Sequence, residues 1–415
     1  MTYSLVLRTK CLLSFIIWGS IFSILALLFG TGYYVYNLQS NWDKDEPQEH
    51  NDSTIMAAKV ISIILFVLGG LFFVVLVFIR RSIMLAIACV KESARSIGAM
   101  PLIVLFPLLQ CAGFLAFIVI WGYYAISIAS TGDMTTWELP TGSTASVRSW
   151  SYNDSLQNMG WFLLFAFFWT GAFIVHIGDI IIAHCVSTWY FTRDKSTIGS
   201  SIVPRSMCSM IRYHTGTAAF GSMILAFVQL VRCFISYIQK LARKWDNKAG
   251  EALLCCFQCC LLCFQKFLEF ISKNAYIQTA IFGTSFCVST REAFSLILRN
   301  AIRMGSIAYV TEIVLIIGRL FISALVVCLG YIYMESEIGN EVVSLAGPCV
   351  LILLLAYFIS SMFLHLFNIA TSTILQCFIA DEEMFEGNQR YAEGDLGDFI
   401  DKFEEIEKKS IKVGN

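Results

Sequence analysis

Residues 274–333 read NAYIQTAIFGTSFCVSTREAFSLILRNAIRMGSIAYVTEIVLIIGRLFISALVVCLGYIY. The first half is amphipathic at helical spacing and carries Arg291, Glu292, Arg299 and Arg303. The second half, from about Ser306, is long and apolar enough to cross a bilayer, which takes roughly 20 residues of helix. Glu312 and Arg319 are set inside it. An ionisable group at that depth costs at least a few kcal/mol, and two turns of helix bring these two back onto one face. A membrane helix with a polar face, fed by a basic helix at its mouth, points to a path through the membrane.

The rest of the chain has the same character. Of its 415 residues 57% are apolar and only 14% charged, with a mean hydropathy of +0.70. A soluble domain carries about a quarter charged residues, so the composition predicts an all-α, polytopic bundle of about seven or eight membrane helices. Spans are expected at 11–36, 56–79, 101–130, 159–182, 215–238, 306–333 and 343–376, with a further segment inside 252–285. The first span is too long for a signal-peptide core and lacks a cleavage pattern, so it reads as a retained helix. Residues 1–380 then form one transmembrane domain, and 381–415 an acidic cytoplasmic tail with eleven Asp or Glu against five Lys or Arg.

Basic loops stay in the cytoplasm. Loop 80–100 holds Arg80, Arg81, Lys91 and Arg95, and loop 191–214 holds Arg193, Lys195, Arg205 and Arg212. The loops expected outside are acidic: 37–55 has five acids against Lys44 alone, and 334–342 carries Glu335, Glu337 and Glu341. The sequons at Asn51 and Asn153, candidate glycosylation sites, fall in outer loops as well. Both 215–238 and 306–333 start inside, so 215–305 must hold an even number of crossings: either 215–238 crosses and a later segment returns, or neither makes a full crossing. A return within 252–285 satisfies this but puts the basic run QKLARKWDNK outside. Glycines 216, 221, 305 and 318 are expected to let helices approach closely.

His176, Asp179 and His184 share broadly one face of the 159–190 helix. They read as a polar lining, proton relay or charge-compensating set, or as interhelical hydrogen bonds. Cys255, Cys256, Cys259, Cys260 and Cys263 contain two C-x-x-C pairs, but on one helix they do not converge as a zinc site requires. Beside Lys266 and Lys273 they read as palmitoylation sites at a membrane surface or as packing. No catalytic motif is present; no enzyme activity, cofactor, metal or nucleic-acid partner is expected.

Several stretches resemble the choline transporter-like family of solute carriers. They are RRSIMLAIACVKESARSIGAMPLIVLFPL (80–108), FWTGAF (168–173), IRYHTGTAAFGSMILAFVQLVR (211–232) and CCFQCCLLCFQKFLEFISKNAYIQTAIFGTSFCVS (255–289). Together with the opening residues they cover most of 1–380 in the family's order. The family has ten membrane helices with a disulfide-bearing ectodomain between the first two. Here LVLRTKCLLSFIIWG resembles the turn into its third helix, so the chain is expected to be an N-terminally truncated member with the last eight.

The resemblance implies uptake of choline, with ethanolamine as a related solute, to supply phospholipid headgroups without a required sodium gradient. A non-transporting paralogue that assembles with a full-length partner, or a homo-oligomer, is the alternative. The plasma membrane is the expected location, an organellar membrane the other. Choline has no N–H donors, so aromatic faces and carboxylates are its natural partners. Trp121 and Tyr124, with Tyr123, lie at an outer helix end, where an aromatic belt is equally expected. Trp169 lies deeper, and Tyr309 stands one turn before Glu312, the leading carboxylate. Arg319 is the expected charge compensator, since it would repel a cation.

Overall fold

A computed structural model describes residues 2–42, 52–138, 146–244, 248–338, 345–385, 389–392 and 396–397. Among these, helices α1 (Thr2–Trp42), α2 (Asp52–Ala99) and α3 (Phe106–Ser130) come first. A short antiparallel hairpin follows, β1 (Asp133–Glu138) with β2 (Ser146–Ser151). The remaining helices are α4 (Asp154–Tyr190), α5 (Ile202–Lys244), α6 (Lys248–Phe282), α7 (Phe286–Arg299), α8 (Ala301–Ile338) and α9 (Ala346–Met384).

The expected helical bundle is what the chain forms. Seven of the described helical segments are long and apolar enough to cross a membrane: Thr54–Phe78, Pro101–Ser130, Asp154–Tyr190, Ile202–Leu241, Leu253–Phe282, Ala301–Ser336 and Ala346–Met384. Most run past the apolar segment that announces them. α2 has 48 residues, about 72 Å at 1.5 Å per residue, against a bilayer core of about 30 Å. Its far end buries Ile83 and the run Leu85–Val90. Burial, reinforced by the carboxylate of Glu92, pushes the Cys89 thiol far above its ordinary range. The hairpin falls within a stretch read from sequence only as an outer loop.

The chain divides into two compact units. The first combines the chain up to Arg95 with Asn300–Thr371, and the second combines Ser96–Arg299 with Ser372–Tyr391. In the first unit α1 packs on α2, with Phe29 seated over Gly69 and its ring 6.3 Å from that of Phe66. α8 packs on α9 antiparallel, as the pairings Gly318 with Leu364 and Gly330 with Ile352 show.

In the second unit α5 and α6 also run antiparallel. Gly221 faces Tyr276, Arg232 donates to Gln265, and Gln258 donates to Ser236 at 3.0 Å. α4 is capped at its start by Asn153, whose Oδ1 accepts from the Leu156 amide at 2.9 Å. At its far end Lys195 donates to the carbonyls of Trp189, Tyr190 and Thr192 at 3.0, 2.5 and 2.7 Å, placing a cation on the negative pole of the helix. Asp194 caps the next short turn; the Ser196 hydroxyl and amide hold its carboxyl below the usual range.

α6 stops at a residue only glycine adopts readily. Gly283 has φ +69 and closes the helix with its amide on the Thr279 carbonyl at 2.8 Å, an end that a left-handed glycine permits. Ser289 at the start of α7 accepts from Thr279 at 2.8 Å and bonds Thr284 at 2.6 Å. The amphipathic first half of residues 274–333 is therefore broken rather than continuous, divided between the end of α6 and α7, which carries Arg291 and Arg299. α7 buries Phe286, Ser289, Ala293 and Leu296.

Of the four glycines expected at close approaches, Gly221 and Gly318 fit. A Cβ at Gly318 would meet Leu364 at 3.3 Å. Gly216 and Gly305 face open space within 4 Å, so those two expectations are corrected. At Gly221 a Cβ would collide with the Tyr276 hydroxyl and the Phe286 ring. Gly221→Val should therefore lower stability by about 1–3 kcal/mol, the usual cost of overpacking. Gly216→Ala should leave the thermal unfolding midpoint in detergent unchanged or raised; equal midpoints for the two variants would contradict this packing.

Candidate functional site

The polar interior of the second unit is built where α4, α5 and α6 meet. His176 on α4 places Nδ1 2.9 Å from Ser222 Oγ on α5 and 3.2 Å from the Tyr276 hydroxyl on α6. Ser222 in turn donates to the Ala218 carbonyl at 2.7 Å. One turn from His176, Asp179 is buried to 4% exposure and lies within electrostatic reach of the Tyr276 hydroxyl. In an apolar medium a carboxylate so placed needs polar or charged company, and it sits among side chains able to supply it.

Aromatic rings close the other side of this cluster. The His176 and Tyr276 rings lie 4.8 Å apart, Tyr276 is 5.6 Å from Phe286, and Phe286 is 5.7 Å from Phe220. Tyr276 is fully buried. Its approach to α5 depends on Gly221, and the break at Gly283 brings Phe286 back against it. The result is a buried carboxylate near a run of tilted and edge-on aromatic rings, a combination that suits a cation without hydrogen-bond donors.

The sequence-derived candidates distribute unevenly over this geometry. His176 and Asp179 are in the cluster. Trp169 lies on the same helix two turns before His176, 37% exposed, and its indole N–H donates to the Ala219 carbonyl of α5 at 2.9 Å. Trp121 likewise ties α3 to α4, donating to the Leu163 carbonyl at 2.9 Å with its ring 4.8 Å from Phe167. Both indoles act as interhelical braces here. Tyr123 and Tyr124 are 70% and 56% exposed, as side chains of an aromatic belt are. His184 pairs separately with Ser206 of α5 at 2.9 Å.

Glu312, Arg319 and Tyr309 belong to the first unit. Arg319 folds back along α8, its Nη2 donating to Glu312 Oε1 at 2.9 Å and its Nε to the Leu315 carbonyl at 3.3 Å. The carboxylate is half exposed and the guanidinium largely covered, so Glu312 is compensated on its own helix. Tyr309 is 38% exposed.

Asn153 is exposed, and its helix cap uses Oδ1 rather than the nitrogen a glycan would occupy; Asn51 lies outside the described residues. The five cysteines of α6 are exposed, every described cysteine is free, and no group of metal-ligating side chains converges among the described residues. Because α5 and α6 are antiparallel, these cysteines sit at the opposite end of the bundle from Arg193 and Lys195. Acylation at the cytoplasmic surface and a cytoplasmic loop 191–214 therefore exclude one another.

Sequence reading missed Ser222, Tyr276 and Phe286, which carry no charge, and an interhelical polar network on α5 and α6. There Arg232 donates to Gln265, Gln265 to Glu269 at 2.7 Å, and Lys266 pairs with Glu269 at 2.8 Å. The charges of Arg232 and Glu269 inside spans were the available signal.

The α8 pair yields a direct expectation. Glu312→Gln leaves Arg319 without its carboxylate and should destabilise the protein by roughly 1–3 kcal/mol, the scale of a charged hydrogen bond. Adding Arg319→Gln should restore the unfolding midpoint in detergent. A fully stable Glu312→Gln protein would contradict the pairing.

A family model described as plasma-membrane choline transporter matches residues 63–383. The chain is 30% identical over 400 residues to choline transporter-like protein 2 of Dictyostelium discoideum, covering 93% of this chain and 62% of that protein. It is 32% identical over 353 residues to choline transporter-like protein 1 of Caenorhabditis elegans, covering 79% and 46%. To choline transporter-like protein 4 of Xenopus laevis it is 29% identical over 370 residues, covering 79% and 52%. The chain thus spans about half the length of the curated relatives it matches.

Proposed function

The chain belongs to the choline transporter-like family of multi-pass membrane proteins, and from that premise we propose that it carries choline across the plasma membrane. The observation that carries the reading is Asp179, buried one turn from His176 and within electrostatic reach of Tyr276, whose ring leans at a tilt on those of His176 and Phe286. Trimethylammonium presents a soft, delocalised positive surface, which ring faces attract by up to about 2 kcal/mol when desolvated. A carboxylate at low dielectric adds attraction that water would otherwise screen. In this reading Asp179 supplies the charge, the rings supply the shape, and the His176–Ser222–Tyr276 hydrogen bonds hold the rings in place. Trp169 braces the α4–α5 contact above the cluster rather than gripping substrate.

Ethanolamine tests the same site from the other direction. Its ammonium has N–H donors that rings leave without acceptors once water is stripped away, so a site built chiefly of rings should prefer choline. Glu312 acts in this account through Arg319, as structural charge balance. The outer side is taken to be that of the hairpin, with Asn153 as its glycan acceptor.

The test is choline uptake by the full chain in proteoliposomes. Asp179→Asn should raise the choline concentration for half-maximal uptake about tenfold or more, equivalent to the 1.4 kcal/mol that a desolvated charged contact readily exceeds. Tyr276→Phe keeps the ring but loses the hydroxyl that ties it to His176 and should fall between the parent and Asp179→Asn, whereas Tyr276→Leu should lose affinity as Asp179→Asn does. Unchanged affinity in a well-folded Asp179→Asn protein would remove the site assignment. Uptake that appears only when a full-length relative is present would favour a subunit role.

A further inference from the structure

The end of the second unit that bears Arg193 and Lys195 is closed by residues beyond the last membrane helix. Asp381 lies in the final turn of α9 and is buried to 1% exposure, not solvated as the head of an acidic tail would be. Its Oδ2 accepts from the hydroxyl of Tyr190, the last residue of α4, at 3.1 Å. Both its oxygens accept from the Tyr391 amide, at 3.0 and 2.9 Å. The chain after α9 has thus turned back onto α4.

Arg193 fastens the return. Its guanidinium donates to the carbonyl of Arg390 at 2.8 Å and to that of Gln389, while lying 3.9 Å over the Tyr391 ring. The same ring meets Phe191 edge-on at 5.5 Å and Phe385 at 5.4 Å. These are two kinds of guanidinium contact, fork and stack, that lysine cannot reproduce. Arg193 itself is exposed, so its contacts are polar, reachable by water and cheap to break compared with a buried apolar seam.

We infer that Phe385 and Gln389–Tyr391 form a latch, with Arg193 as its clasp, that holds this end of the α4–α9 contact shut. A carrier that exposes its site alternately must part its helices at each end in turn. Here the parting step is the release of Tyr391 from Arg193 and Asp381. The latch acts on the conformation of the bundle end, whichever solute is carried.

Cys377 reports on the latch. It lies one turn before Asp381 and is fully buried, so a thiol reagent reaches it only when the end opens. Cys89, also fully buried but in the other unit, reports general loosening. The purified full chain in detergent is treated with N-ethylmaleimide and the modified cysteines are located by mass spectrometry. In Arg193→Ala and Tyr391→Ala proteins the rate at Cys377 should rise about tenfold or more, as loss of a multi-bonded charged contact shifts a local opening equilibrium. The rate at Cys89 should hold, and Arg193→Lys should fall between parent and alanine variant. An unchanged Cys377 rate in both alanine variants, or a rise shared by Cys89, would overturn the latch.

Discussion

Hydrocarbon offers no hydrogen bonds, so each polar group carried into it must be satisfied by protein. That constraint organises the molecule. Trp169 and Trp121 each spend their indole N–H on a neighbouring helix's carbonyl. His176 and His184 each find a serine on α5. Arg319 reaches back to Glu312 on its own helix. Without these partners the side chains would cost several kcal/mol apiece, and the helices would have little besides close packing to fix their register.

The same bonds set the geometry of the candidate site. Antiparallel packing of α5 on α6 depends on Gly221, which lets Tyr276 approach far enough for its hydroxyl to reach His176. The left-handed Gly283 ends α6 and returns Phe286 against the Tyr276 ring. A carboxylate, two hydrogen-bonded rings and a third ring converge because two glycines allow the backbone to do what other residues would resist. The carboxyl group of Asp179 is then held away from water.

The fold was largely legible in the sequence because long apolar runs have one solution in a bilayer, the helix. Boundaries were not, since α2 and α5 continue as helices far beyond their apolar windows. Glu312 and Arg319 announced their pairing by helical spacing alone. The site was half legible. His176 and Asp179 stand out as polar residues in an apolar helix, but Tyr276 and Phe286 look like any buried aromatic, and only the meeting of three helices distinguishes them. Trp169 read as a substrate contact because an indole face suits choline; its N–H edge is bonded to the Ala219 carbonyl of α5. Asp381 read as the head of a solvated acidic tail because charge runs usually are solvated. Its burial depends on Tyr190, nearly two hundred residues earlier, which no local pattern could reveal.

The central claim is that a ring-and-carboxylate site in one helical unit recognises a quaternary ammonium by charge and shape. Competition by tetramethylammonium against choline uptake, in vesicles holding only this chain, tests it most directly, because that ion keeps the charge and methyl groups and lacks the hydroxyl. The account predicts saturable uptake that tetramethylammonium inhibits in the parent and inhibits much less after Asp179→Asn. Flux that rises linearly with choline and ignores tetramethylammonium would contradict it.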